Sequence, residues 1–299
     1  TTVHTPLGSC EASWIVDASG LSGINLLGSP KVDKTDICAA AQEVRHCDEA
    51  RARDYFARNG AEYGHTLCFS SVEGGYSIVN VHGHDDELAI LTGSIPGEGH
   101  PSGRKMLDDF VAKHDWIGET KFGGSRAIPV RRPFDIIAKG DYAAIGDAAC
   151  QVFPAHGSGI APQLVAGRML VDNLKAGRGL QGYQLQFQRT WGRTLAAYDV
   201  FRRFSQKLDA ADLARLMQSG IMTEASSRAA LEQRMPDLPK PAELAGVLKG
   251  LGQQPKMASR MLGVLGKMIA VQSLYAAYPK NPRHVSTWGK AVEQVFAGL

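Results

Sequence analysis

Residues 142–174 decide the fold of this chain and read Tyr-Ala-Ala-Ile-Gly-Asp-Ala-Ala-Cys-Gln-Val-Phe-Pro-Ala-His-Gly-Ser-Gly-Ile-Ala-Pro-Gln-Leu-Val-Ala-Gly-Arg-Met-Leu-Val-Asp-Asn-Leu. The apolar run Tyr142–Ile145 predicts a buried strand of a parallel sheet, which stops at Gly146-Asp147. Beyond Pro154 and two glycines, apolar residues recur at helical spacing over Ile160–Leu174. The stretch therefore predicts a strand, a glycine-rich turn and a long helix.

A turn of this kind before a helix suits a flat ligand with hydroxyl or anionic groups. The first N–H groups of a helix have no partner within it, and the helix dipole places about half a positive charge there. Gly157 and Gly159 lack side chains, so a flat ring can approach the backbone closely. Asp147 would accept hydrogen bonds from hydroxyl groups, whereas its charge disfavours contact with a phosphate. A polyol that carries a flat, electron-accepting ring fits these groups.

The same residues resemble the second flavin motif of FAD-dependent reductases and aromatic hydroxylases. In those families an Asp meets the ribityl or pyrophosphate part of FAD, and the Pro and glycine turn lie beside the isoalloxazine ring. The resemblance implies FAD as the cofactor, while an ordinary strand–turn–helix with chance glycines is the alternative. The cofactor-binding residues that it implies here are Gly146, Asp147, Pro154, Gly157, Ser158, Gly159 and Ile160.

A second segment, near the start of the chain, resembles another part of these flavoproteins. Two short strands, Thr2–Gly8 and Ala12–Asp17, are predicted around a hairpin turn at Gly8–Glu11. The second strand ends at Asp17-Ala18-Ser19-Gly20, which is similar to the Asp-Ala-(Ser/Thr)-Gly turn that meets the nucleotide half of the cofactor in those families. The resemblance implies that Asp17 and Gly20 also contact FAD.

The flavoproteins that these motifs resemble begin with a strand, a Gly-x-Gly-x-x-Gly turn and a helix that carries the pyrophosphate. This chain has no such pattern before Asp17, so it resembles the family without its first segment. Three explanations are open: a truncated or processed product, a second chain that supplies the segment, or a degenerate relative. We expect that this chain alone does not hold FAD tightly.

Further along, the apolar period changes to two, which predicts antiparallel strands at Thr66–Ser70, Gly75–Val81 and Glu87–Gly93. Gly74-Gly75-Tyr76 is similar to a Gly-Gly-Tyr-x-Trp-x-Phe-Pro segment that lines the substrate cavity of geranylgeranyl reductase-like proteins. The resemblance implies substrate contacts at Gly74, Gly75 and Tyr76. The Trp, Phe and Pro are replaced here, which makes a long isoprenoid substrate doubtful; the replacing residues are Ile78, Asn80 and Val81.

Two side chains are candidates for a catalytic acid. His156 lies between Pro154 and Gly157, where a histidine donates a proton or a hydrogen bond near a flavin. Tyr76 lies at the predicted substrate cavity. Packing in the core is the alternative for both side chains.

Helices are predicted for Thr35–Asn59, for Pro101–Trp116 and for most of residues 179–299. Within the last of these, Ala242–Tyr278 is rich in Leu, Met, Ala and Gly with scattered cations. One interpretation is a basic amphipathic surface that rests on a membrane, and the other is a helical cap packed on the sheet. The sparse charge and the interrupting glycines favour packing.

The composition of the 299 residues, 44% hydrophobic and 21% charged, is typical of a soluble globular protein. Lys and Arg are scattered among the acids and the net charge is +3, so no nucleic-acid partner is expected. Five cysteines without Cys-x-x-Cys spacing favour reduced thiols in the cytoplasm and no metal site. No apolar run is long enough to predict a transmembrane helix.

These observations predict an α/β fold with a partial, Rossmann-like FAD-binding sheet, an inserted antiparallel substrate-binding sheet and a helical C-terminal region. The predicted domains are residues 1–30 with 140–178 for FAD, residues 31–139 for the substrate, and the helical residues 179–299.

The leading hypothesis for function is a cytoplasmic, geranylgeranyl reductase-like FAD-dependent oxidoreductase. It would reduce carbon–carbon double bonds of an apolar, lipid-like substrate with electrons from NAD(P)H or a reductase. A flavin-dependent monooxygenase or halogenase is one alternative, because these enzymes reuse the same motifs. A cofactor-free subunit that binds an apolar ligand or a protein partner is the other.

Overall fold

The computed structural model describes residues 1–220, 222–237 and 241–299 of the chain. Its strands are β1 (Thr2–Thr5), β2 (Gly8–Glu11), β3 (Ile15–Asp17), β4 (Ile37–Cys47), β5 (Thr66–Ser70), β6 (Ser77–His84), β7 (Glu87–Ser94), β8 (Ile117–Pro129), β9 (Ala138–Lys139) and β10 (Tyr142–Ala144). Its α-helices are α1 (Glu49–Arg58), α2 (Gly103–Ala112), α3 (Ile160–Lys175), α4 (Gly179–Phe187), α5 (Arg193–Ser205), α6 (Ala210–Gln218), α7 (Glu224–Leu231), α8 (Pro241–Gln253), α9 (Pro255–Ala276) and α10 (Val285–Phe296). The predicted α/β fold with several sheets and a helical C-terminal region is confirmed.

The chain folds as two units. The first contains Thr1–Lys31, Pro129–Phe204 and Arg215–Leu299, and the second contains Val32–Ile128 and Ser205–Ala214. The domain boundaries expected from the sequence remain a prediction.

A three-stranded sheet in the order β3-β10-β9 lies in the first unit. β10 pairs parallel to β3, with Ala144 opposite Asp17, and β9 pairs antiparallel to β10. The strand predicted at Tyr142–Ile145 is thereby confirmed as β10. The parallel pairing places the carboxyl ends of β3 and β10 at the same edge of the sheet.

A hairpin of β1 and β2 precedes this sheet, and Thr5 pairs with Gly8 across a two-residue turn. The predicted turn at Gly8–Glu11 is wrong, because these residues form the second strand of the hairpin. The turn consists of Pro6 and Leu7 instead. Pro6 has no N–H group for a strand ladder, so a turn position suits it better than the strand position assigned from the sequence.

The second unit is built on a five-stranded sheet in the order β5-β6-β7-β4-β8. β5, β6 and β7 confirm the three antiparallel strands predicted from the period of two. The helix predicted within Pro101–Trp116 is α2, which packs on β4 and β7. Side chains of α1, α2 and the sheet form the core of this unit, among them Phe56, Leu88, Ile90, Leu107 and Trp116.

The segment Thr35–Asn59, predicted as one helix, is a strand followed by a helix. Ile37–Cys47 forms β4, which pairs with β7 over eight residues. α1 begins only at Glu49, where the Asp48 side chain accepts a hydrogen bond from the Arg51 N–H. The prediction is wrong because the alanines at the start of β4 allow close packing against α2, a tertiary requirement that outweighs their helix propensity.

α2 comes close to β4 at Gly103, the first residue of α2. A Cβ atom at this position would lie 2.5 Å from the Ala39 carbonyl oxygen and 2.9 Å from that of Thr92. The Thr92 hydroxyl donates a hydrogen bond to the Gly103 carbonyl oxygen at 2.6 Å. These distances leave no room for a side chain between the helix and the sheet.

Replacing Gly103 by Ala should therefore lower the free energy of unfolding by about 1–3 kcal/mol, the range for overpacking of a filled core. Urea denaturation measures the change. Gly124→Ala is the matched control, because a Cβ atom there meets nothing within 4 Å. An equal loss in the two variants would contradict the packing argument.

A buried charge network around Asp199 stabilises the helical part of the first unit. The Asp199 carboxylate accepts hydrogen bonds from the Arg132 backbone N–H at 2.8 Å, from Arg202 at 2.7 Å and from Arg203 at 3.1 Å. Burial alone would raise the pKa of this carboxyl, but Arg202 and Arg203 outweigh it, and the pKa lies below its usual value.

The Arg132 side chain extends this network to the C-terminal helices. Its guanidinium donates to Asp135 and to Glu293, each at 2.5 Å, and to the Tyr275 hydroxyl at 3.2 Å. Through its backbone and its side chain, Arg132 thus connects the segment before β9 with α5, α9 and α10.

Asp199→Asn should lower the free energy of unfolding at neutral pH by about 3 kcal/mol or more, because it removes a buried negative charge that offsets the positive charge of the fully buried Arg202 guanidinium. The difference from the unchanged protein should shrink as the pH falls below about 3.9, the pKa of an unfolded Asp. The native carboxylate contributes fully above that value, and its contribution is lost as the pH falls through its lowered folded-state pKa.

The control is Asp172→Asn, which removes an exposed pair with Arg168 at 2.8 Å on α3. This change should alter the free energy of unfolding by about 0.5 kcal/mol at most. A similarly small effect of Asp199→Asn, measured by urea denaturation across pH, would be inconsistent with a stabilising network.

Candidate functional site

The turn between β10 and α3 begins at the carboxyl edge of the small parallel sheet. Gly146–Ala149 form a 3-10 turn directly after β10, and Gly146 has a φ of 71°, a backbone conformation that favours glycine. The Ile145 N–H donates to the Asp17 carbonyl oxygen at 2.9 Å and so fixes the start of the turn to β3. The Asp17 loop and the Gly146-Asp147 turn therefore emerge from one edge of the sheet.

Two buried polar side chains hold this turn in place. Gln151 accepts a hydrogen bond from the Gly146 N–H at 2.8 Å and donates to the Tyr183 hydroxyl at 2.7 Å. Tyr183, on α4, donates in turn to the Ala144 carbonyl oxygen at 3.1 Å. Burial raises the pKa of Tyr183, so the hydroxyl stays a hydrogen-bond donor.

The predicted glycine turn closes on itself before α3. The Phe153 N–H donates to the Ser158 carbonyl oxygen, and the Gly157 N–H donates to the Phe153 carbonyl oxygen, both at 2.9 Å. Gly157 has a φ of 71°, and Pro154 is buried. Gly159 precedes α3, and among the described residues no side chain caps the first turn of that helix. The first N–H groups of α3 are thus available to a ligand.

Asp147 is tied to the first turn of α3 by Gln163, whose Nε2 donates to the Asp147 carboxylate at 2.7 Å. A Cβ atom on Gly159 would lie 2.5 Å from that same nitrogen, so a glycine is needed there for the bond to form. Burial raises the pKa of Asp147 even though the hydrogen bond from Gln163 lowers it. A half-buried carboxylate with one donor still has room to accept hydrogen bonds from hydroxyl groups.

Asp17 organises its own loop. Its carboxylate accepts from the Ser19 N–H at 3.0 Å, from the Ser19 hydroxyl at 2.5 Å and from the Leu26 N–H at 3.2 Å. Burial acts to raise the pKa of Asp17, but these hydrogen bonds hold it below its usual value. Since the side chain is 3% exposed, the loop offers a ligand its backbone, including Gly20 at a φ of 84°.

His156 packs against the turn. Its ring lies 4.6 Å from the Phe153 ring, centre to centre, and its Nε2 is 3.3 Å from the Ala230 carbonyl oxygen. Burial lowers the pKa of His156, which favours the neutral ring with its Nε2 proton donated to that carbonyl. The packing interpretation fits this geometry, and the role of a catalytic acid stays a prediction.

In the second unit, the predicted substrate residues form the turn before β6. Gly75 has a φ of 53°, and its N–H donates to the Leu208 carbonyl oxygen at 3.1 Å. A Cβ atom there would collide with the Gln206 carbonyl oxygen and lie 3.0 Å from the His100 ring. Gly74 has a φ of 85°, and Tyr76 is buried. The glycines therefore have a packing role, and their contact with a substrate stays a prediction.

Sequence reasoning missed the residues that support the candidate site. Gln151, Gln163 and Tyr183 hold the turn, and His100 lies beside the Gly74–Tyr76 turn. Of these residues, Gln163 alone had a local signal in the sequence, because it lies in the first turn of the helix that follows Gly146-Asp147. The contacts of Gln151 with Tyr183 and of His100 with Gly75 join distant parts of the chain, so no short motif reveals them.

A known protein resembles this chain in sequence. A digeranylgeranylglycerophospholipid reductase from Sulfolobus acidocaldarius is 28% identical in an alignment of 223 residues that covers 71% of this chain and 49% of the relative. The chain thus spans about half the length of the curated relative that it matches. No protein-family model matches the chain.

Solved structures resemble it in fold. The crystal structure of a geranylgeranyl bacteriochlorophyll reductase-like protein from Thermoplasma acidophilum has a TM-score of 0.59 at 16% identity and covers 83% of this chain and 62% of its own. BrvH, a flavin-dependent halogenase from Brevundimonas sp. BAL3, has a TM-score of 0.47 at 16% identity. This match covers 95% of our chain and 60% of the halogenase. With the reductase relative in sequence and the first of these structures in fold, the predicted resemblance to the geranylgeranyl reductase-like flavoprotein superfamily is confirmed.

Proposed function

We propose that this chain acts in an FAD-dependent oxidoreductase that reduces carbon–carbon double bonds of an apolar, isoprenoid-like substrate. The observation that carries the proposal is the 28% identity, over 71% of the chain, with a reductase whose name specifies a digeranylgeranyl phospholipid. The turn between β10 and α3 supports it, because its glycines and uncapped helix start suit a flat cofactor. The substrate class is proposed by analogy with that relative.

FAD, when bound, supplies the hydride equivalent for such a reduction. The residues of this chain would bind and orient it. Backbone N–H groups at Gly159 and Ile160 would meet the electron-poor ring, and Gly157 would allow its close approach. Asp147, oriented by Gln163, would accept hydrogen bonds from the ribityl hydroxyls. Each of these contacts replaces one that water makes, so the binding energy depends on how well the turn is held before the cofactor arrives.

The small parallel sheet has an open side where a further strand would complete the cofactor site. Among the described residues, β3 pairs with β10 alone. Ile15 donates its N–H to the Asp141 carbonyl oxygen, and Asp17 accepts from the Ile145 N–H, so both residues bond on the β10 side. In a parallel pair the intervening residue, Val16, directs its N–H and C=O to the opposite side.

We propose that a strand of a Gly-x-Gly-x-x-Gly segment pairs with this open side of β3 and brings the pyrophosphate site with it. A parallel sheet of this size is normally extended and covered, because unpaired strand edges attract other strands. The segment would come either from elsewhere in the same protein or from a second chain. NAD(P)H or a reductase would supply the electrons.

Gly159→Ala should weaken FAD binding about tenfold or more, with little loss of stability. The new Cβ atom would displace the Gln163 amide from Asp147, and the loss of one hydrogen bond to a charged group has about this effect on affinity. Quenching of flavin fluorescence measures the affinity in the chain joined to a designed strand, Gly-x-Gly-x-x-Gly turn and helix.

Gly167→Ala is the matched control on the same helix, because a Cβ atom there meets nothing within 4 Å. It should leave FAD affinity unchanged and preserve or slightly raise stability, as Ala is the better helix former. If Gly159→Ala binds FAD as tightly as this control, the proposed cofactor site is excluded.

The reaction itself separates the candidate functions. With FAD bound and chemically reduced, the joined protein should add hydrogen to the double bonds of a geranylgeranyl lipid, detected by mass spectrometry, without substrate-dependent oxygen uptake. Substrate-dependent oxygen uptake would point instead to a monooxygenase or halogenase. Absence of FAD uptake in the joined protein would favour the cofactor-free binding module.

A further inference from the structure

A cavity of about 510 Å³ lies among the helices of the first unit, and its lining shares no residue with the glycine turn. The described residues that line it include three arginines, Arg189, Arg193 and Arg234, and no Asp or Glu. Trp191 and Met235 supply apolar surface in the same lining. We call this space the arginine cavity. A cavity with this lining suits a ligand that carries both an anionic and an organic group.

One wall of the arginine cavity comes from an irregular turn between α4 and α5. Gln188–Gly192 form a π-helical turn, a rare geometry that is frequent at functional sites. The buried Gln188 amide donates to the Phe134 carbonyl oxygen at 2.8 Å, and a Cβ atom on Gly192 would lie 2.6 Å from the Gln188 Oε1. Core contacts therefore fix the turn that carries Arg189.

A second wall comes from the segment that follows α7. The Tyr198 hydroxyl on α5 donates to the Arg234 carbonyl oxygen at 2.7 Å. Burial raises the pKa of Tyr198 to about 12, so the hydroxyl keeps the proton that it donates. Gln233 has a φ of 56°, and its N–H donates to the Ala230 carbonyl oxygen at 3.0 Å, as at a helix end. This segment is thus held in a defined position against α5.

Two of the three guanidinium groups are oriented by the protein without being neutralised by it. Arg189 donates through Nε and one Nη to the Tyr278 carbonyl oxygen, at 3.1 and 2.6 Å. Arg193 donates through Nε to the Gln272 Oε1 at 3.3 Å. Within the described part of the chain, neither arginine forms an ion pair with a carboxylate. Their remaining N–H groups are available to a ligand.

The third guanidinium group differs, because Arg234 pairs with Glu232 at 2.7 Å and with Asp237 at 3.1 Å. Its charge is therefore offset within the chain. Arg189 and Arg193 remain as two positive charges in one cavity, and like charges at close range repel each other. A bound dianion would turn this repulsion into attraction.

A phosphate ester matches these features better than a carboxylate or a neutral ligand. It carries close to two negative charges at neutral pH and has three acceptor oxygens. A planar guanidinium binds two such oxygens side by side, which an ammonium group does not do. The arginine cavity is far larger than a phosphate ion, so it leaves room for an organic group beside Trp191 and Met235.

We propose that the arginine cavity binds a small organic phosphate ester. Arg189 and Arg193 hold the phosphate, and the organic group lies against Trp191. The phosphate belongs either to a soluble ester or to the headgroup of a lipid, since both present the same oxygens to the guanidinium groups. No helix in the described residues is both long and apolar enough to cross a bilayer. This inference does not depend on FAD or on the proposed reaction.

Isothermal titration calorimetry of the purified chain with glycerol 3-phosphate tests the proposal. The chain should bind glycerol 3-phosphate and should not bind glycerol at the same concentrations. Arg193→Gln should bind at least about tenfold more weakly, because it removes charge-assisted hydrogen bonds. Binding should also change the tryptophan fluorescence, and Trp191→Phe should lose that change.

Two further variants control for net charge and for geometry. Arg283→Gln removes an exposed arginine of the same unit and should bind as the unchanged chain does. Arg193→Lys keeps the charge but loses the planar fork, so its affinity should lie between those of Arg193→Gln and the unchanged chain. Circular dichroism checks that every variant is folded.

A second ligand, dihexanoyl phosphatidic acid below its critical micelle concentration, identifies the source of the phosphate. Binding about tenfold or more tighter than that of glycerol 3-phosphate, and weakened by Arg193→Gln, would support the site and indicate a lipid headgroup. A smaller difference in affinity would support the site and indicate a soluble ester.

Three results would overturn the proposal. The first is that the chain binds neither phosphate ester. The second is equal affinity of Arg193→Gln and Arg283→Gln for glycerol 3-phosphate, which would place the binding outside the arginine cavity. The third is a fluorescence change that persists in Trp191→Phe, because it would report a ligand beside another tryptophan.

Discussion

The candidate site depends on the parallel pairing of β3 with β10. These two short strands come from distant parts of the sequence, and their pairing brings the Asp17 loop and the Gly146-Asp147 turn to one edge. Three residue pairs alone would hardly offset the entropy of closing so long a loop. The buried hydrogen bonds of Gln151 and Tyr183 add the missing constraint, because they tie the turn to β10 and to α4. Helix α4 thus helps to hold this edge of the sheet in place.

Local patterns predicted the elements whose own residues show a regular apolar period or follow a clear turn signal. β5, β6 and β7 alternate between two faces of a sheet, and α3 follows a glycine turn, so period and punctuation sufficed. β4 was wrongly predicted as a helix because it is rich in alanine. In the structure, these small residues allow the close approach of Gly103 on α2, which is a contact between two separate elements. The hairpin of β1 and β2 was shifted because Pro6, and not Gly8, makes the turn. In both cases the deciding contact lies outside the window that a sequence pattern covers.

The residues of the candidate site also fall into two groups, those that a local pattern predicts and those that only tertiary contacts explain. Gly146 and Gly157 adopt left-handed backbone angles, a property that a glycine in a turn announces in the sequence. Gly159 is different, because its lack of a side chain makes room for the Gln163 amide, which in turn orients Asp147. Gly75 shows that a match to a functional motif does not by itself establish a functional role. It matches a segment that lines the substrate cavity in other proteins. The Gln206 carbonyl oxygen, however, lies so close to Gly75 that this contact is sufficient to require a glycine there. A residue can therefore fit a functional motif and also have a sufficient structural reason.

α9 explains why average properties misled the interpretation of the C-terminal region. The whole chain has a net charge of +3, an average that hides the lack of Asp and Glu in residues 244–292 and the excess of acids over Lys and Arg in the rest of the chain. Packing and surface binding looked like alternatives because the sequence shows apolar residues on more than one side of the helix. The structure assigns Met261, Val264 and Met268 to the core and leaves Leu262, Leu265 and Ile269 exposed. A helix can therefore pack through one side and still expose apolar residues on another, which the sequence pattern alone does not separate.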